Sequence, residues 1–455
     1  MNLSIIILAA GQGTRMRSGL PKVLHPLAGR PLLGHVIETA RGFAGAELHV
    51  VIGHGAEQVR AAFPETDIHW VIQDQQLGTG HAVAQVLPGI ADDRVVVVMY
   101  GDVPLIRRAT LDALLADAAR DKVCLLTAEL DQPTGYGRIM RDETGHITGI
   151  VEEKDASDSQ RRIREINTGF MAAPAGRLHG WVAALDNNNA QGEFYLTDVI
   201  ALAVRDGVTV SAVTTQDPHE ILGVNDRLQL AGLERCYQRQ QAEACMHAGI
   251  TLIDPARFDL RGTLLAGQDV VIDVNAVLEG DLVLGDRVTI GPNVVLRDTR
   301  IGNDVTVLAN CVIEEATIGS GVRIGPFARI RPETRLADHT HVGNFVEIKK
   351  SDIGAGSKIN HLSYVGDTSM GRGVNIGAGT ITCNYDGASK HRTVIGNDVF
   401  IGSDTQLVAP VEVRDGATIG AGSTITRDAP AGELTLSRAP QETRKGWQRP
   451  VRKKS

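Results

Sequence analysis

Two cations follow a glycine-containing loop near the start of the chain. Gly11 and Gly13 come after the first apolar stretch, and Arg15 and Lys22 follow them. Backbone N–H groups in such a loop can approach a phosphate chain, and the two cations suit the β- and γ-phosphates of a nucleoside triphosphate and the departing pyrophosphate. The third glycine of the dinucleotide-binding fingerprint is missing, because Met16 stands at its position, and no clear ribose-binding acid follows. The loop therefore favours nucleotidyl transfer over hydride transfer.

A carboxylate stands at the end of a second apolar stretch. Residues 95–99 are Val-Val-Val-Val-Met, and Tyr100, Gly101 and Asp102 follow directly. The carboxyl ends of parallel strands form the ligand-binding edge of an open α/β sheet. A carboxylate there can hold Mg²⁺, which takes one or two carboxylates together with phosphate oxygens. Taken alone, Asp102 could equally be a turn residue or a helix N-cap.

A histidine in the C-terminal part of the chain is a candidate general base. His361 comes two residues after Ile359, and the repeat that points Ile359 inward predicts an outward His361 side chain. Imidazole titrates near pH 6.5 and can take a proton from an amine that attacks a thioester. His339 and His341 also alternate along a strand, but two residues do not make a metal site.

The first ~225 residues alternate apolar strands with helical stretches, which predicts a doubly wound α/β domain. The predicted strands are SIIILAA, ELHVVIG, IHWVIQ, RVVVVMYGD, KVCLLTAEL and TVSAVTT. A long helix is predicted over residues 225–249, because they contain no proline and no glycine between their ends apart from Gly232. This helix would connect the first domain to the rest of the chain.

The C-terminal part of the chain carries aliphatic residues at intervals of six. Such a hexapeptide repeat predicts a parallel β-helix, in which three short strands and three turns make one coil of ~18 residues and the aliphatic residue stacks inward. A glycine often follows the aliphatic residue, and it is expected to help the chain turn the corner. The repeat positions are Ile272, Leu278, Leu284, Ile290, Leu296, Ile301, Val307, Ile313, Ile318, Ile324, Ile330, Leu336, Val342, Ile348, Ile353, Ile359, Val365, Met370, Ile376, Ile395, Ile401, Leu407, Val413, Ile419 and Ile425.

The repeat has two kinds of irregularity. Four steps are five residues long, from 296 to 301, 313 to 318, 348 to 353 and 365 to 370. The larger break, residues 383–393, predicts a loop that protrudes from one coil. Because such loops often carry function, we expect part of a binding site there; a neutral insertion is the alternative.

Composition limits the classes of function. The chain has 455 residues, a formal net charge of -8 and 50 glycines, and 4% of its residues are aromatic. The acidic balance argues against non-specific nucleic-acid binding, and the glycine content fits a repetitive β architecture. No apolar stretch reaches the ~18–20 residues that span a membrane, and the N-terminus lacks the features of a signal peptide. We expect a cytoplasmic enzyme that acts on small molecules.

Eight segments within residues 1–226 resemble, in order and spacing, the uridylyltransferase half of the bacterial bifunctional N-acetylglucosamine-1-phosphate uridylyltransferase / glucosamine-1-phosphate N-acetyltransferase family. They are LAAGQGTRM, LPKVLH, QLGTGHAV, YGDVPL, GYGRI, VEEKDA, EINTGF and LGVND. The resemblance implies contacts of the nucleotide or sugar with Leu8, Ala9, Ala10, Gly11, Lys22, Gln73, Gly78, Thr79, Tyr100, Gly101, Asp102, Gly137, Glu152, Asn167 and Asn225. It further implies that Asp102 and Asn225 ligate Mg²⁺ and that Arg15 and Lys22 act catalytically on the phosphates of UTP.

The repeat region resembles the acetyltransferase half of the same family. The matching segments are RIRPET, HVGNFVEIKKS, KINHLSYVGD, NIGAGTITCNYDG, VFIGSDTQLVAP, LSRAPQ and KGWQRPVRKK. The resemblance implies that His361 is the general base and that glucosamine 1-phosphate is held by Arg331, Lys349, Tyr364 and Asn375. It places acetyl-CoA on Ala378, Asn384, Tyr385, Ser403, Ala421 and Arg438. A basic tail, Lys445, Arg449, Arg452, Lys453 and Lys454, is either a further CoA-phosphate contact or a solvated end.

The resemblance implies an α/β fold with three parts. These are an N-terminal Rossmann-like nucleotidyltransferase domain (1–226), a linker helix (227–247) and a C-terminal left-handed parallel β-helix that carries the N-acetyltransferase (248–455). The expected enzyme acetylates glucosamine 1-phosphate and then uridylylates the product. It supplies precursors of peptidoglycan and lipopolysaccharide and assembles as a homotrimer.

Two alternatives remain at the level of sequence. The first is a single-activity sugar nucleotidyltransferase whose β-helix only assembles subunits. The second, a non-catalytic regulatory subunit, would require the loss of Arg15, Lys22 or Asp102, and all three are present.

Overall fold

The computed structural model describes residues 2–118 and 121–452. The chain forms two compact units, Met1–Tyr237 and Gln238–Ser455. The boundary between them falls inside the helix Arg227–His247, the segment predicted as a linker. Among the described residues, no helix is both long enough and apolar enough to cross a membrane.

A nine-stranded sheet forms the centre of the first unit. All six predicted strands are present in it, and the strand Glu165–Pro174 is inserted antiparallel between two of them. The sheet therefore departs from a purely parallel one. The strands of the main path, in spatial order, are Val210–Thr214, Val123–Glu129, Glu165–Pro174, Val95–Tyr100, Leu3–Leu8, Glu47–Ile52 and Ile68–Ile72, and Gly137–Arg141 and Ile147–Val151 extend the sheet from Glu165–Pro174.

Helices cover both faces of this sheet. Alternate residues of the strand Val95–Tyr100 point to opposite cores, Val96 and Val98 to one and Val97 and Met99 to the other. Burial on both faces explains why the strand is an unbroken apolar run. The α-helices of the first unit are Leu32–Arg41, Ala56–Ala61, Thr79–Val86, Arg108–Ala118, Asp158–Arg161, Ala175–Ala183, Asp198–Arg205 and the start of Arg227–His247, with 3-10 turns at Thr14–Met16, Lys22–Leu24, Leu87–Gly89 and Pro218–Ile221 and a short hairpin of Pro26–Leu27 and Arg30–Pro31.

The second unit is the predicted parallel β-helix. Every predicted repeat position is at most 5% exposed and belongs to one continuous core. One face is a sheet of Thr251–Leu252, Val271–Ile272, Thr289–Ile290, Thr306–Val307, Arg323–Ile324, His341–Asn344, Lys358–His361, Asn375–Ile376, Phe400–Ile401, Thr418–Ile419 and Leu434–Thr435. The other two faces form one sheet of Phe258–Ala266, Ala276–Leu284, Val295–Arg297, Arg300–Ile301, Val312–Glu314, Ala316–Ile318, Arg329–Ile330, Thr334–Leu336, Glu347–Lys349, Asp352–Ile353, Tyr364–Gly366, Thr368–Met370, Ile381–Cys383, Thr393–Ile395, Gln406–Val408, Val411–Val413 and Thr424–Ile425, and a 3-10 turn lies at Pro255–Arg257.

The irregular steps are absorbed as changes of register. Leu278 pairs with Leu296 on the next coil, and Leu296 pairs with Ile313. The second interval is one residue shorter than the first, because a five-residue step intervenes. Across the larger break Thr382 pairs with Leu407, which makes this coil longer than the others. Thr382 is 1% exposed and fills the inward position that the aliphatic pattern leaves vacant between residues 376 and 395.

The corners of the coils stack into three edges, each marked by residues in the left-handed conformation. We call the column Asn275, Asn293, Asn310, Phe327, Phe345, Leu362, Gly379, Asp404 and Gly422 the His361 edge. The column Gly280, Asp298, Glu315, Glu333, Lys350 and Asp367 is the loop edge, because residues 384–392 leave the β-helix there. The third edge runs through Asp269, Arg287, Asp304, Gly321, His339, Gly356, Gly373, Asp398, Gly416 and Gly432.

Most glycines after the aliphatic residues have a different role from the one expected, whereas Gly325 has φ +96°. Gly285 and Gly396 are not among the residues with positive φ, so conformational freedom does not explain them. A Cβ on Gly396 would lie 2.2 Å from Oδ1 of Asp415, and a Cβ on Gly285 would lie 2.3 Å from Oδ1 of Asn303. These glycines leave room for a side chain of the next coil, which accepts a hydrogen bond from the following backbone N–H.

Candidate functional sites

A cavity of about 230 Å³ opens at the carboxyl edge of the sheet in the first unit. Ten residues singled out by the sequence line it, namely Leu8, Ala9, Ala10, Gly11, Lys22, Gln73, Gly78, Thr79, Tyr100 and Asp102. Val23, Gln76, Ala82 and Glu193 complete the lining and were not predicted. The position of the cavity is the one at which open α/β sheets bind ligands.

Two glycines allow the walls of this cavity to come together. A Cβ on Gly13, which has φ +61°, would lie 2.7 Å from Cβ of Lys22. A Cβ on Gly78, which has φ +112°, would lie 2.6 Å from the carbonyl oxygen of Phe194. Gly13 therefore lets the loop reach Lys22, and Gly78 lets the start of the helix Thr79–Val86 reach the segment that carries Glu193.

Lys22, Asp102 and Asn225 meet at one end of the cavity. Nζ of Lys22 lies 2.5 Å from Oδ2 of Asp102 and 3.3 Å from Oδ1 of Asn225. The backbone N–H of Val224 donates to the carbonyl of Asp102 at 3.0 Å and holds the two segments together. One carboxylate oxygen and one amide oxygen thus face a single cationic group. This donor set fits Mg²⁺, which prefers oxygen ligands.

A second group of predicted residues lies around the far side of Tyr100. Asn167 pairs with Gly137 across adjacent strands, and a Cβ on Gly137 would approach the Glu152 carboxylate to 3.4 Å. Thr197 donates to Oε1 of Glu152 at 2.9 Å. Burial raises the pKa of Glu152 above that of an ordinary carboxyl. A half-buried carboxylate beside an amide can accept hydrogen bonds from sugar hydroxyl or amide groups.

Gly101 and Arg15 are the remaining predicted residues of this unit. The backbone N–H of Gly101 donates to the carbonyl of Leu8 at 2.9 Å and joins the strand ends. Arg15 lies on the 3-10 turn Thr14–Met16, is exposed, and is not part of the cavity lining.

A column of site residues follows the His361 edge of the β-helix. Asn344 is paired with His361 one coil away, and Oδ1 of Asn344 lies 3.0 Å from Nδ1 of His361. The His361 side chain is exposed, as predicted. Ala378, Ser403 and Ala421 continue this column on the next three coils. The residue that follows each of them donates its backbone N–H to the carbonyl of the preceding member of the column. Nη1 of Arg438 donates to the Ala421 carbonyl at 2.9 Å.

Charged side chains alternate along the neighbouring face of the β-helix. Arg261, Glu279, Arg297 and Glu314 occupy equivalent positions on successive coils. Their ion pairs measure 2.8 Å, 2.5 Å and 2.8 Å in that order. Each charge is therefore compensated by the coil above or below it.

The alternation ends at the predicted sugar-phosphate site. Arg331 comes next in the column, and Lys349 follows where alternation would place an acid. Two cations thus stand one coil apart, ~4.8 Å. Nη1 of Arg331 lies 2.8 Å from Oε1 of Glu347, and Nζ of Lys349 lies 3.5 Å from Oδ2 of Asp367 at the neighbouring corner. Two cations on adjacent coils can together bind a phosphate.

A missing side chain shapes the next position in this column. Gly366 pairs with Lys349, and a Cβ there would lie 2.4 Å from the Tyr364 hydroxyl and 2.8 Å from Nδ2 of Asn384. The gap lets the Tyr364 hydroxyl and the Asn384 amide approach to 3.4 Å over the backbone. Oδ2 of Asp367 accepts from Asn384 and lies 3.5 Å from Nζ of Lys349.

Comparison with known proteins places the whole chain in one family. The family model described as "MobA-like NTP transferase domain" matches residues 5–164, and "Bacterial transferase hexapeptide (six repeats)" matches residues 298–332, 315–350 and 392–427. The "Bifunctional protein GlmU" of Alkalilimnicola ehrlichii is 60% identical over 98% of this chain and 96% of its own. The proteins of that name from Methylococcus capsulatus and Marinobacter nauticus are 59% and 57% identical and cover 99% and 98% of this chain, and 98% and 99% of their own.

The chain belongs to the GlmU family of bifunctional proteins. As a member it is an enzyme with uridylyltransferase and acetyltransferase activities, matched by its nucleotidyltransferase and hexapeptide-repeat parts. The single-activity interpretation of the sequence is therefore wrong. The matches to these relatives extend over both units of the chain.

The acetyltransferase residues predicted for this GlmU chain fall into two groups. His361, Ala378, Ser403 and Ala421 lie on the His361 edge, whereas Asn384 and Tyr385 begin at the loop edge. Asn375 lies on the face that leads to the His361 edge, next to Lys358. The structure does not bring Asn384 and Tyr385 to the column at Ala378. Lys445, Arg449 and Arg452 are exposed, and Lys453 and Lys454 lie outside the described residues.

Four polar residues of the second unit were missed by sequence reasoning. Asn344, Glu347, Asp367 and Lys390 contact or adjoin predicted site residues. The register of the repeat would have found Asn344 and Asp367. Each of them lies one coil along the chain from the residue that it contacts, Asn344 before His361 and Asp367 after Lys349.

Proposed function

We propose that the first unit transfers the uridylyl group of UTP to N-acetylglucosamine 1-phosphate and that the second unit makes that acceptor by acetylating glucosamine 1-phosphate with acetyl-CoA. The convergence of Lys22, Asp102 and Asn225 beside a glycine-lined cavity supports the first activity. The outward His361 and the adjacent cations Arg331 and Lys349 support the second. The proposed order makes the product of one unit the substrate of the other.

Uridylyl transfer needs positioning and charge compensation and no protein nucleophile. An oxygen of the sugar phosphate attacks the α-phosphorus of UTP in line, and pyrophosphate leaves with the electrons of the broken P–O bond. Lys22 and Arg15 stabilise the charge on the phosphates. Asp102 and Asn225 would hold Mg²⁺, which neutralises phosphate charge when bound. Gln73, Gly78 and Thr79 bind the uracil of UTP, and Glu152 and Asn167 bind the sugar of N-acetylglucosamine 1-phosphate.

Acetyl transfer starts from the neutral imidazole of His361. Because Oδ1 of Asn344 can only accept, it selects the tautomer with the proton on Nδ1 and leaves Nε2 free. Nε2 takes the proton of the glucosamine amine as the nitrogen attacks the thioester carbonyl. The tetrahedral intermediate then collapses, the C–S bond breaks, and the proton can pass to the departing sulfur. Arg331, Lys349, Tyr364 and Asn375 hold the sugar phosphate.

The His361 edge offers an extended path for acetyl-CoA. The column from His361 through Ala378 and Ser403 to Ala421 rises by one coil per residue, ~4.8 Å each. Small side chains at these positions leave the backbone accessible along the edge. An elongated thioester fits such a path, with its acetyl end at His361 and Arg438 at the other end.

A homotrimer would explain why half of the predicted site lies on another edge. Phe327, Phe345 and Leu362 stand on the His361 edge in the left-handed conformation, which is costly for bulky residues, and are 50%, 55% and 64% exposed. The rings of Phe327 and Phe345 stack at 5.3 Å. Exposed apolar residues beside His361 suit a contact with a second copy, whose loop edge would bring Asn384 and Tyr385. We place this trimer in the cytoplasm.

Crossed variants test the two sites. The purified protein should release pyrophosphate from UTP and N-acetylglucosamine 1-phosphate, and free CoA from acetyl-CoA and glucosamine 1-phosphate. We expect Asp102→Ala to abolish only the first reaction and His361→Ala to lower kcat of only the second by roughly 10²–10⁴-fold. CoA release at the parental rate in His361→Ala would refute the base, and joint loss of both reactions in either variant would refute separate sites.

A further inference from the structure

Asp367 stands at the point where residues 384–392 leave and rejoin the β-helix. Its side chain is 13% exposed, and Oδ2 lies 3.5 Å from Nζ of Lys349. The same oxygen accepts a hydrogen bond from Nδ2 of Asn384, at the start of the loop. Its backbone carbonyl accepts from the N–H of Thr393, at the end of the loop, at 3.3 Å. One residue thus contacts a predicted phosphate-binding cation and both ends of the loop.

The backbone fixes the direction of this carboxylate. Asp367 has φ +50°, and its N–H donates to the carbonyl of Lys349 at 3.0 Å. Asp is one of the few residues besides Gly and Asn that enter the left-handed conformation routinely. The corner therefore holds the carboxylate over Lys349 without an added side-chain constraint.

Asp367 compensates the positive charges of Lys349 and Lys390. Lys349 and Asp367 are 16% and 13% exposed, so their ion pair is shielded from water. The Lys349 ammonium lowers the pKa of Lys390, on the loop, and Asp367 opposes that shift. Without the carboxylate the two ammonium groups would repel each other, and Lys349 would be a half-buried, unpaired charge.

We propose that Asp367 is a positioning residue for acetyl transfer, which holds the Lys349 ammonium for the sugar phosphate and, through Asn384, fixes the loop that carries part of the acetyl-donor site. It touches no reacting atom in this proposal. The inference rests on the proposed acetyl transfer from acetyl-CoA to glucosamine 1-phosphate. It adds that one carboxylate supports the sites of both substrates.

Two substitutions at this position separate its two contacts. Asp367→Asn keeps an acceptor oxygen for Asn384 and the left-handed conformation, but it removes the charge beside Lys349. We expect the KM for glucosamine 1-phosphate to rise about fivefold while the KM for acetyl-CoA stays within about twofold. Asp367→Gly also keeps the conformation but removes both contacts. We expect both KM values to rise about fivefold or more and kcat to fall about tenfold, because the loop loses its anchor.

Asp298 provides the matched control. It stands earlier on the same loop edge with φ +46°, and its Oδ1 accepts from the backbone N–H of Asp281 at 2.9 Å. Asp298→Asn and Asp298→Gly should leave kcat and both KM values at the parental level. All four variants should retain parental uridylyl transfer.

The outcomes separate the inference from the function on which it rests. If the parental protein does not transfer acetyl groups from acetyl-CoA to glucosamine 1-phosphate, the proposed function fails. If it does, and Asp367→Gly matches Asp298→Gly in kcat and both KM values, only the inference is overturned. If Asp367→Asn raised the KM for acetyl-CoA as much as Asp367→Gly does, the inference would also be overturned, because the two contacts would then not be separable.

Discussion

Asn344 lies beside one ring nitrogen of His361, the proposed base. Its amide oxygen lies 3.0 Å from Nδ1 and accepts only, which favours the tautomer with the proton on Nδ1 and an unprotonated Nε2. Asn344→Leu should lower kcat of acetyl transfer by about tenfold, since the ring then loses its orientation and its tautomer. Asn344→Asp keeps an acceptor oxygen and should retain most of the activity. Steady-state kinetics of both variants check this, and equal losses would show that the residue acts through packing instead.

Glu152, a candidate sugar-binding carboxylate, is expected to cost stability. Burial raises the pKa of Glu152 in the folded chain above its value in the unfolded chain. The folded state is therefore favoured while Glu152 is protonated, and this contribution to stability is lost as the pH rises through the folded-state pKa. At neutral pH, Glu152→Gln should therefore raise the melting temperature of the first unit, because it removes the cost of ionising a buried carboxyl. The gain should vanish in acid. The KM for N-acetylglucosamine 1-phosphate should rise.

The adjacent Glu153 is the control for this measurement. Burial acts to raise its pKa, but the hydrogen bond and the charge of Arg138 outweigh burial and lower it. Arg138 is 1% exposed, and Nη2 lies 2.7 Å from Oε2 of Glu153. Glu153→Gln should destabilise the first unit at neutral pH, because it leaves Arg138 buried without its full counter-charge. Thermal scans of both variants with the same sign of shift would contradict this account.

At the scale of single residues, the sequence identified groups whose chemistry is local. Lys22 and Asp102 were placed by a glycine loop and a strand end, and the structure brings them within 2.5 Å. Asn344 and Asp367 carry no local signal, because their roles come from stacking one coil away. The glycines after the aliphatic residues were found, but their purpose was not. For Gly285 and Gly396 that purpose depends on a side chain of the next coil, which no single hexapeptide contains.

At the scale of elements, the loop at residues 384–392 is an addition to a regular coil. Thr368 pairs with Thr393 across the loop, whereas Thr393 pairs with Val411 on the next coil, and the first interval is seven residues longer. Inside the loop, Nε2 of His391 lies 2.6 Å from Oδ2 of Asp386, and Asp386 also accepts from two backbone N–H groups. The loop has a structure of its own, and the coil does not require it.

Deleting residues 385–391 should therefore spare the fold. The change removes seven residues and restores the interval that separates Thr393 from Val411. We expect a thermal midpoint within about 2 °C of the parental value, unchanged uridylyl transfer and loss of acetyl transfer. Calorimetry and the two assays check this. Retained acetyl transfer would show that the loop is a neutral insertion.

The sequence predicted elements well where one period dominates. Each aliphatic position from Ile272 to Ile425 is buried, since the hexapeptide period follows directly from inward stacking. The strand Glu165–Pro174 and its neighbours Gly137–Arg141 and Ile147–Val151 were not predicted as strands. Asn167 of the candidate sugar site interrupts Glu165–Pro174, Gly137–Arg141 contains two arginines and Ile147–Val151 contains a threonine and a glycine, so all three lack the continuous apolar run of Val95–Tyr100. Those polar residues weaken the pattern on which the prediction depends.

At the scale of the whole molecule, the first half of the helix Arg227–His247 packs with the first unit. Leu233 is 2% exposed in a cluster with Met16, Leu27, Leu32, Leu105 and Val224. Oε2 of Glu234 accepts from the backbone N–H of Ala28 at 2.7 Å. From Gln238 onwards the helix belongs to the second unit, where Gln238 exchanges two hydrogen bonds with the backbone of Leu260. The compact units therefore divide within the helix, whereas the predicted domain ended at residue 226.

This division makes truncation a test of how the molecule is built. A fragment that ends at Tyr237 keeps Leu233 and Glu234 and should retain kcat of uridylyl transfer within about twofold. A fragment that ends at Asp226 loses both contacts. Removing a fully buried leucine alone costs about 2–5 kcal/mol, which is a large part of the stability of a domain. We expect the shorter fragment to melt about 5 °C lower or more. Equal stability of the two fragments, measured by circular dichroism, would mean that this half of the helix is only a connector.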